Sequence, residues 1–224
     1  EYWELEEAKL RRMPPEKELA GKIALITGAA GGIGSATANK FLKEGCCVIL
    51  TDIDSRALQK TKENFQNKFG SDVVKSIVMD VTNENDVKKA VDESINIFGG
   101  IDILVANAGF ASAAPFDKTS SKLWDKNMAV LSKGCFLISR EVYSQMMRQN
   151  MGGSIIFISS KNSLSASKGA SAYSVAKSSL LHLSRSIALE GAEYKIRSNI
   201  INPDAVIQNS RIWSGDWKKQ RAAG

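Results

Sequence analysis

The chain has 224 residues, 43% hydrophobic and 24% charged, which is ordinary for a globular protein with one sizeable core. No apolar run approaches the roughly 20 residues that span a bilayer, and the acidic start Glu1-Tyr2-Trp3-Glu4 lacks the basic-then-apolar order of a signal peptide, so a cytoplasmic protein is expected. The net charge of +6 is scattered among acids, which argues against nucleic acid, and three cysteines with one histidine exclude a usual zinc site, so no metal is expected.

Residues 1–20 stand apart. They are charged, carry Tyr2 and Trp3, and end near Pro14-Pro15. The pattern predicts a short helix over about 2–13 and then a stiff turn, an N-terminal arm or a linker from an upstream domain. Residues 21–224 form the domain proper. Strands are predicted at 22–27, 46–51, 73–81, 101–106, 155–159 and 197–202. Helices are predicted at 32–44, 55–69, 83–98, 121–149 and 171–192, the first with Ile33, Thr37, Phe41 and Leu42 on one face. The neighbours Cys46-Cys47 sit in an apolar run and read as small hydrophobes. Residues 207–224 are polar and lead to no further strand. Apolar strands separated by helices predict an α/β fold, a doubly wound parallel sheet in a three-layer α/β/α arrangement.

Between the first strand and first helix stands Thr27-Gly28-Ala29-Ala30-Gly31-Gly32-Ile33-Gly34. Glycines at 28, 31, 32 and 34 let the backbone turn sharply and lie close to a ligand. The first free amides of the helix then face a pyrophosphate. Asp52 ends the second strand, 24 residues after Gly28, with Ile53 beside it. A carboxylate there binds both hydroxyls of an adenosine ribose and repels a 2′-phosphate, which favours NAD over NADP. Asp80-Val81 follows the third strand and Asn107-Ala108-Gly109 the fourth. Both fall where parallel sheets bind ligands, and both are also ordinary turn chemistry.

Tyr173 and Lys177 are four residues apart and share a helix face. A free phenol is a poor base at neutral pH, and a nearby ammonium favours its phenolate. At about 4 Å and an effective dielectric near 20 that attraction is at most about 4 kcal/mol. The shift general-base work requires is of that size. Ser160, thirteen residues before the tyrosine at the end of the fifth strand, has a hydroxyl suited to holding a substrate oxygen.

Taken together, the Thr27–Gly34 turn, Asn107-Ala108-Gly109, and Ser160 with Tyr173 and Lys177 resemble the short-chain dehydrogenase/reductase family over about residues 22–207. The resemblance implies a Rossmann-like fold and hydride transfer between NAD and a small alcohol or aldehyde. Ser160, Tyr173 and Lys177 would be catalytic, with Tyr173 and Lys177 also on the cofactor and Pro203 and Val206 at its carboxamide end. It implies a homodimer or homotetramer formed through the helices that carry Phe136, Leu137, Leu180 and Leu181. His182 would then be a packing or interface residue. The sequence departs from the family at three places. Leu131 stands where many members have a catalytic Asn, with Asn127 one turn earlier as a possible substitute. Pro203-Asp204 replaces Pro-Gly, and Asp204 either touches substrate or caps a turn. The last helix and strand have no counterpart, so the C-terminal part reads as incomplete, with 207–224 opening a substrate lid.

The Met13-Pro14-Pro15 entry, Ser160-Lys161-Asn162 and Asn202-Pro203-Asp204-Ala205-Val206 resemble the dehydrogenase half of bifunctional class II aldolase/short-chain dehydrogenase proteins. That likeness implies sugar catabolism, with rhamnulose-1-phosphate cleavage in a fused aldolase upstream and lactaldehyde oxidation here. Lys161 and Asn162 would then face a polar substrate or serve only as loop residues. A reading from another class is a non-catalytic NAD(H)-binding scaffold or redox sensor.

Overall fold

The computed structural model describes residues 2–5, 7, 17–204 and 206. Six strands form one sheet: β1 (Ile23–Thr27), β2 (Cys47–Asp52), β3 (Val74–Val78), β4 (Ile103–Ala106), β5 (Gly153–Ile158) and β6 (Ile196–Ile201). Their order is β3-β2-β1-β4-β5-β6, and every pairing is parallel. The helices are α1 (Gly32–Lys43), α2 (Ser55–Phe69), α3 (Glu84–Phe98), α4 (Ser121–Asn127), α5 (Gly134–Gln149) and α6 (Ser171–Gly191). The order reverses between β1 and β4, which opens a crevice beyond the carboxyl ends of those two strands. The doubly wound three-layer sheet expected from the sequence is the fold observed.

Side-chain alternation along each strand sorts the core into two layers. Ala24 and Ile26 of β1 pack with Ala38 and Leu42 of α1 and Leu58 of α2. Leu25, between them, points to the opposite face, with Val91 of α3, Leu137 and Val142 of α5, and Leu180 of α6. The inner strands β1, β2 and β4 are buried on both faces and read as nearly continuous apolar runs, whereas the edge strands β3 and β6 carry polar residues such as Lys75 and Arg197. Helix starts follow local chemistry. The Asp54 carboxylate caps α2 by accepting the Ala57 N–H, and the Asn83 side chain caps α3 by accepting from Asn85 and Asp86.

Several expected boundaries shift, each for a physical reason. The third strand stops at Val78, because Asp80 turns the chain by accepting the Thr82 N–H at 2.8 Å. The fourth begins at Ile103, since the Gln149 side chain holds both the N–H and the carbonyl of Ile101. The expected 121–149 helix is interrupted by a π-helical turn, Met128–Lys133. There Gly134 presses on Val81 so closely that an added Cβ would lie 2.8 Å from Val81 Cγ2. The wider turn also buries Leu131 completely. The buried stripe of α1 is Gly34, Ala38 and Leu42, with Ile33 and Phe41 at its margin. Cys46 is buried, but Cys47, at the start of β2, is only half-buried.

Residues 2–5 and 7 are helical, with exposed Tyr2 and Trp3 rings edge to face. The remainder of the expected 2–13 helix, Pro14-Pro15 and residues 207–224 lie outside the described residues. Among the described residues no helix is long and apolar enough to cross a membrane. None of their His, Cys, Asp and Glu side chains form a group of three suited to a metal.

Candidate active site

A cleft of about 430 Å³ occupies the crevice at the carboxyl ends of β1, β2, β3 and β4. Its floor is the glycine turn. Gly28 has φ +62°, and a Cβ there would lie 2.9 Å from Ala108 Cα. A Cβ on Gly34, beneath the floor, would run into the Gly28 carbonyl oxygen and lie 2.8 Å from Ala29 Cα. Gly31, Gly32 and Ile33 line the cleft, and no side chain caps the start of α1 at Gly31. The first amides and the positive end of the helix dipole are therefore left for an anion.

Thr27 and Asn107 fasten the two halves of the sheet at the point where strand order reverses. Thr27 Oγ1 accepts the N–H groups of Asn107 and Ala108, both at 2.9 Å. The Asn107 side-chain amide donates to the carbonyls of Thr27 at 2.9 Å and Gly28 at 3.1 Å. Asn107, Ala108 and Gly109 all line the cleft, but the Asn107 amide is engaged in holding the turn.

The outer wall carries acids. Asp52 accepts the N–H of Ala30 and that of Asp54, each at 3.1 Å, so its carboxylate is fixed at the lip beside the exposed Ile53. Asp80 takes the Thr82 N–H and hydroxyl on one oxygen, Oδ1. Val81 is buried against Gly134 and lines the cleft. Arg56 is exposed.

At the inner end stands Lys177, 4% exposed. Its Nζ donates to the Ile158 carbonyl at 2.7 Å. Burial pushes its pKa down, with a smaller opposing pull from Cys135. An added Cβ on Gly109 would lie 3.8 Å from Lys177 Nζ and 3.0 Å from Leu131 Cδ2, so the cleft ends against the ammonium. One turn earlier on α6, Tyr173 is 8% exposed and packs with Leu131 and Ala176. The start of α6 is bound to the end of β5, because Ser159 Oγ donates to the Lys177 carbonyl and Ser178 Oγ to that of Ser163. Ser160 lies two residues past the end of β5, and its half-buried hydroxyl accepts the Asn162 N–H at 3.2 Å. The Lys161 N–H donates to the Pro203 carbonyl at 2.9 Å, which lays the exit of β6 alongside. Val206, half-buried, stands just beyond.

Eleven of the expected residues line the cleft itself: Gly28, Gly31, Gly32, Ile33, Asp52, Ile53, Asp80, Val81, Asn107, Ala108 and Gly109. Gly34, Ser160, Tyr173, Lys177, Pro203 and Val206 are not among its lining. Phe110, Lys126 and Val130, which the sequence did not single out, do line it, and the Lys126 ammonium stands 4.9 Å above the Phe110 ring. Lys126 and Val130 arrive through the path of α4 and the π turn, which no local motif announces. Asn127 is fully buried, but its amide donates to Leu123 and accepts from Ser112, so its hydrogen bonds do not reach Lys177. His182 is exposed on α6. Leu137 and Leu180 also turn inward to the core, leaving Phe136 exposed on that side of the molecule.

The sequence profile of the family described as short chain dehydrogenase matches residues 22–217. The chain belongs to the short-chain dehydrogenase family. YuxG, an uncharacterized oxidoreductase of Bacillus subtilis (strain 168), is 49% identical over 223 residues, which are 100% of this chain and 32% of that protein. The chain thus spans about a third of that relative's length. The structure of a putative short-chain alcohol dehydrogenase from Sinorhizobium meliloti 1021 superposes with a TM-score of 0.85 at 29% identity, covering 93% of this chain and 81% of that one. An NAD+-bound xylitol dehydrogenase superposes with a TM-score of 0.83 at 33% identity, covering 91% and 76%. Short-chain dehydrogenases are oxidoreductases that bind nicotinamide cofactors. The residues present suit such a group: a glycine floor that a Cβ would fill, an uncapped helix start for a pyrophosphate, and carboxylates at the lip.

Proposed function

We propose that the chain is an NAD-dependent dehydrogenase acting on a small alcohol or its aldehyde. The observation that carries this reading is the continuity of one cleft from the Asp52 carboxylate to Gly109, with the Lys177 ammonium directly behind it. Asp52, held by two backbone amides, suits the paired hydroxyls of an adenosine ribose. Its negative charge at the lip is hostile to a 2′-phosphate, which favours NAD over NADP. Gly28, Gly31, Gly32, Ile33 and Gly34 would hold the pyrophosphate. Ile53, Asp80 and Val81 would flank the adenine, with Asn107, Ala108 and Gly109 along the middle. Pro203 and Val206 would lie at the carboxamide.

Bound NAD would supply the hydride acceptor. The protein's own part is to handle the proton and the oxygen. Tyr173 Oη takes the hydroxyl proton of the alcohol, or of an aldehyde hydrate. Ser160 Oγ donates to the oxygen as negative charge gathers on it. Lys177 favours the tyrosinate and holds the nicotinamide ribose. Its tie to the Ile158 carbonyl keeps the ammonium in place at that end of the cleft.

The finer reading extends the same proposal. Residues 1–20 are an arm or linker and 21–224 the dehydrogenase domain of a cytoplasmic protein. A fused class II aldolase upstream and a sugar-catabolic substrate such as lactaldehyde rest on the likeness of the entry segment and of residues 160–162 and 202–206. Exposed Phe136 on α5 and exposed Val175 and Leu189 on α6 support a homodimer or homotetramer.

The test is turnover followed by the near-ultraviolet absorbance of NADH, with NAD and a panel of small hydroxy compounds. Tyr173→Phe is expected to lower kcat by at least about a hundredfold, the lower range for a positioned acid–base group, while NADH still binds. NADH binding without turnover across the panel would instead favour the non-catalytic scaffold.

A further inference from the structure

Two opposite charges stand next to Ser160 and Pro203. Lys161 directly follows Ser160 beyond β5, and Asp204 directly follows Pro203 beyond β6. Lys161 Nζ lies 2.6 Å from Asp204 Oδ1. The two strands run on side by side past their ends, through Ser159 N–H to the Ile201 carbonyl and Lys161 N–H to that of Pro203. Beneath the pair, Ser163 Oγ donates to Asn202 Oδ1 at 2.9 Å, and the buried Asn162 accepts from Ser167. The backbone here is tied by these hydrogen bonds, while the pair itself is exposed. Side-chain exposure is 43% for Lys161 and 62% for Asp204.

An ion pair this exposed contributes only about 0–1 kcal/mol to stability. A substrate held at Ser160 and extending over the adjoining Lys161 and Asp204 would meet an ammonium and a carboxylate, and covering them without replacing their water is unfavourable. An apolar tail offers neither charge a partner. An anionic substrate suits Lys161 and is repelled by Asp204. A chain of neutral hydroxyls satisfies both, donating to the carboxylate and accepting from the ammonium.

From this we infer that the Lys161–Asp204 pair is a specificity element that selects neutral polyhydroxylated alcohols, with the hydroxyl next to the reacting carbon bridging the two charges. The inference rests on the dehydrogenase reading above and narrows its substrate to a class.

The experiment uses the full-length protein with NAD and compares kcat/KM for a short linear polyol with that for a monohydric secondary alcohol of the same chain length. Wild type is expected to favour the polyol. Lys161→Met and Asp204→Asn are each expected to lower the ratio of the two kcat/KM values by about tenfold, mainly through KM for the polyol. Lys161→Arg keeps the charge and is expected to hold the ratio within about threefold of wild type. Thermal melting identifies a variant that fails to fold, and the other member of the pair then carries the test. A ratio unmoved in both Lys161→Met and Asp204→Asn, or a wild type that favours the monohydric alcohol, overturns the inference and leaves the dehydrogenase standing. A wild type that binds NADH and oxidises neither class overturns the dehydrogenase reading, and the inference with it.

Discussion

Gly34, in the first turn of α1, has its α-carbon pressed against the glycine turn before the helix. Replacing it with alanine would set a Cβ against the Gly28 oxygen and 2.8 Å from Ala29 Cα, both backbone atoms with no flexible end to swing away. Gly34→Ala is therefore expected to destabilise the fold by about 1–3 kcal/mol and to weaken NADH binding, read by a urea melt and a fluorescence titration. The cysteines give a second residue-scale expectation. Burial first, and then the charges of Cys47 and Asp102, pushes the Cys46 thiol up to about 12, and burial also raises Cys135 and Cys47. Under native conditions at mildly alkaline pH, iodoacetamide should label Cys47 slowly and leave Cys46 and Cys135 unmodified, with all three labelled in denaturant, as peptide mass spectrometry would show. The folded state holds the Cys46 proton more tightly than the unfolded chain, whose ordinary value is 9.0. The stability this gives is complete below 9.0 and is lost as pH rises toward about 12, so the advantage of wild type over Cys46→Ala in urea should shrink across that window.

Thr27 ends β1, yet its effect belongs to the joint between elements. One buried hydroxyl receives the amides of both Asn107 and Ala108 where β4 leaves the sheet. Thr27→Val keeps the shape and strands those two N–H groups, at a cost of about 1–3 kcal/mol. NADH affinity should fall with stability, because the same joint sets the cleft floor, whereas Thr27→Ser should restore both. The start of α3 is simpler. Asn83→Ala removes the acceptor for Asn85 and Asp86 and should cost about 1 kcal/mol in a urea melt, with cofactor binding kept. Caps of this kind are legible locally, since a single side chain bonds amides two or three residues on. The π turn at Met128–Lys133 is not, because it answers to Val81 beneath Gly134 and to the space Leu131 fills, both set by another part of the chain.

For the whole molecule, the exposed Phe136, Val175 and Leu189 predict self-association. Sedimentation at micromolar concentration should give a dimer or tetramer, and Phe136→Glu should shift it toward monomer. By itself the sequence determined the sheet and its helices, because alternating apolar runs have one economical way to be buried on both faces. It also determined the glycine turn with Asp52 and the Tyr173–Lys177 pair, since each is a spacing carried within a single stretch or across one strand–helix–strand unit. Only the tertiary structure decided that Lys177 is sunk against Ile158 behind Gly109, that Asn127 serves Ser112 and Leu123, and that Lys126 overhangs the cleft. It alone brought Lys161 to Asp204. Those relations join residues on different elements, and their distances follow from strand order and packing, which no local pattern of side chains encodes.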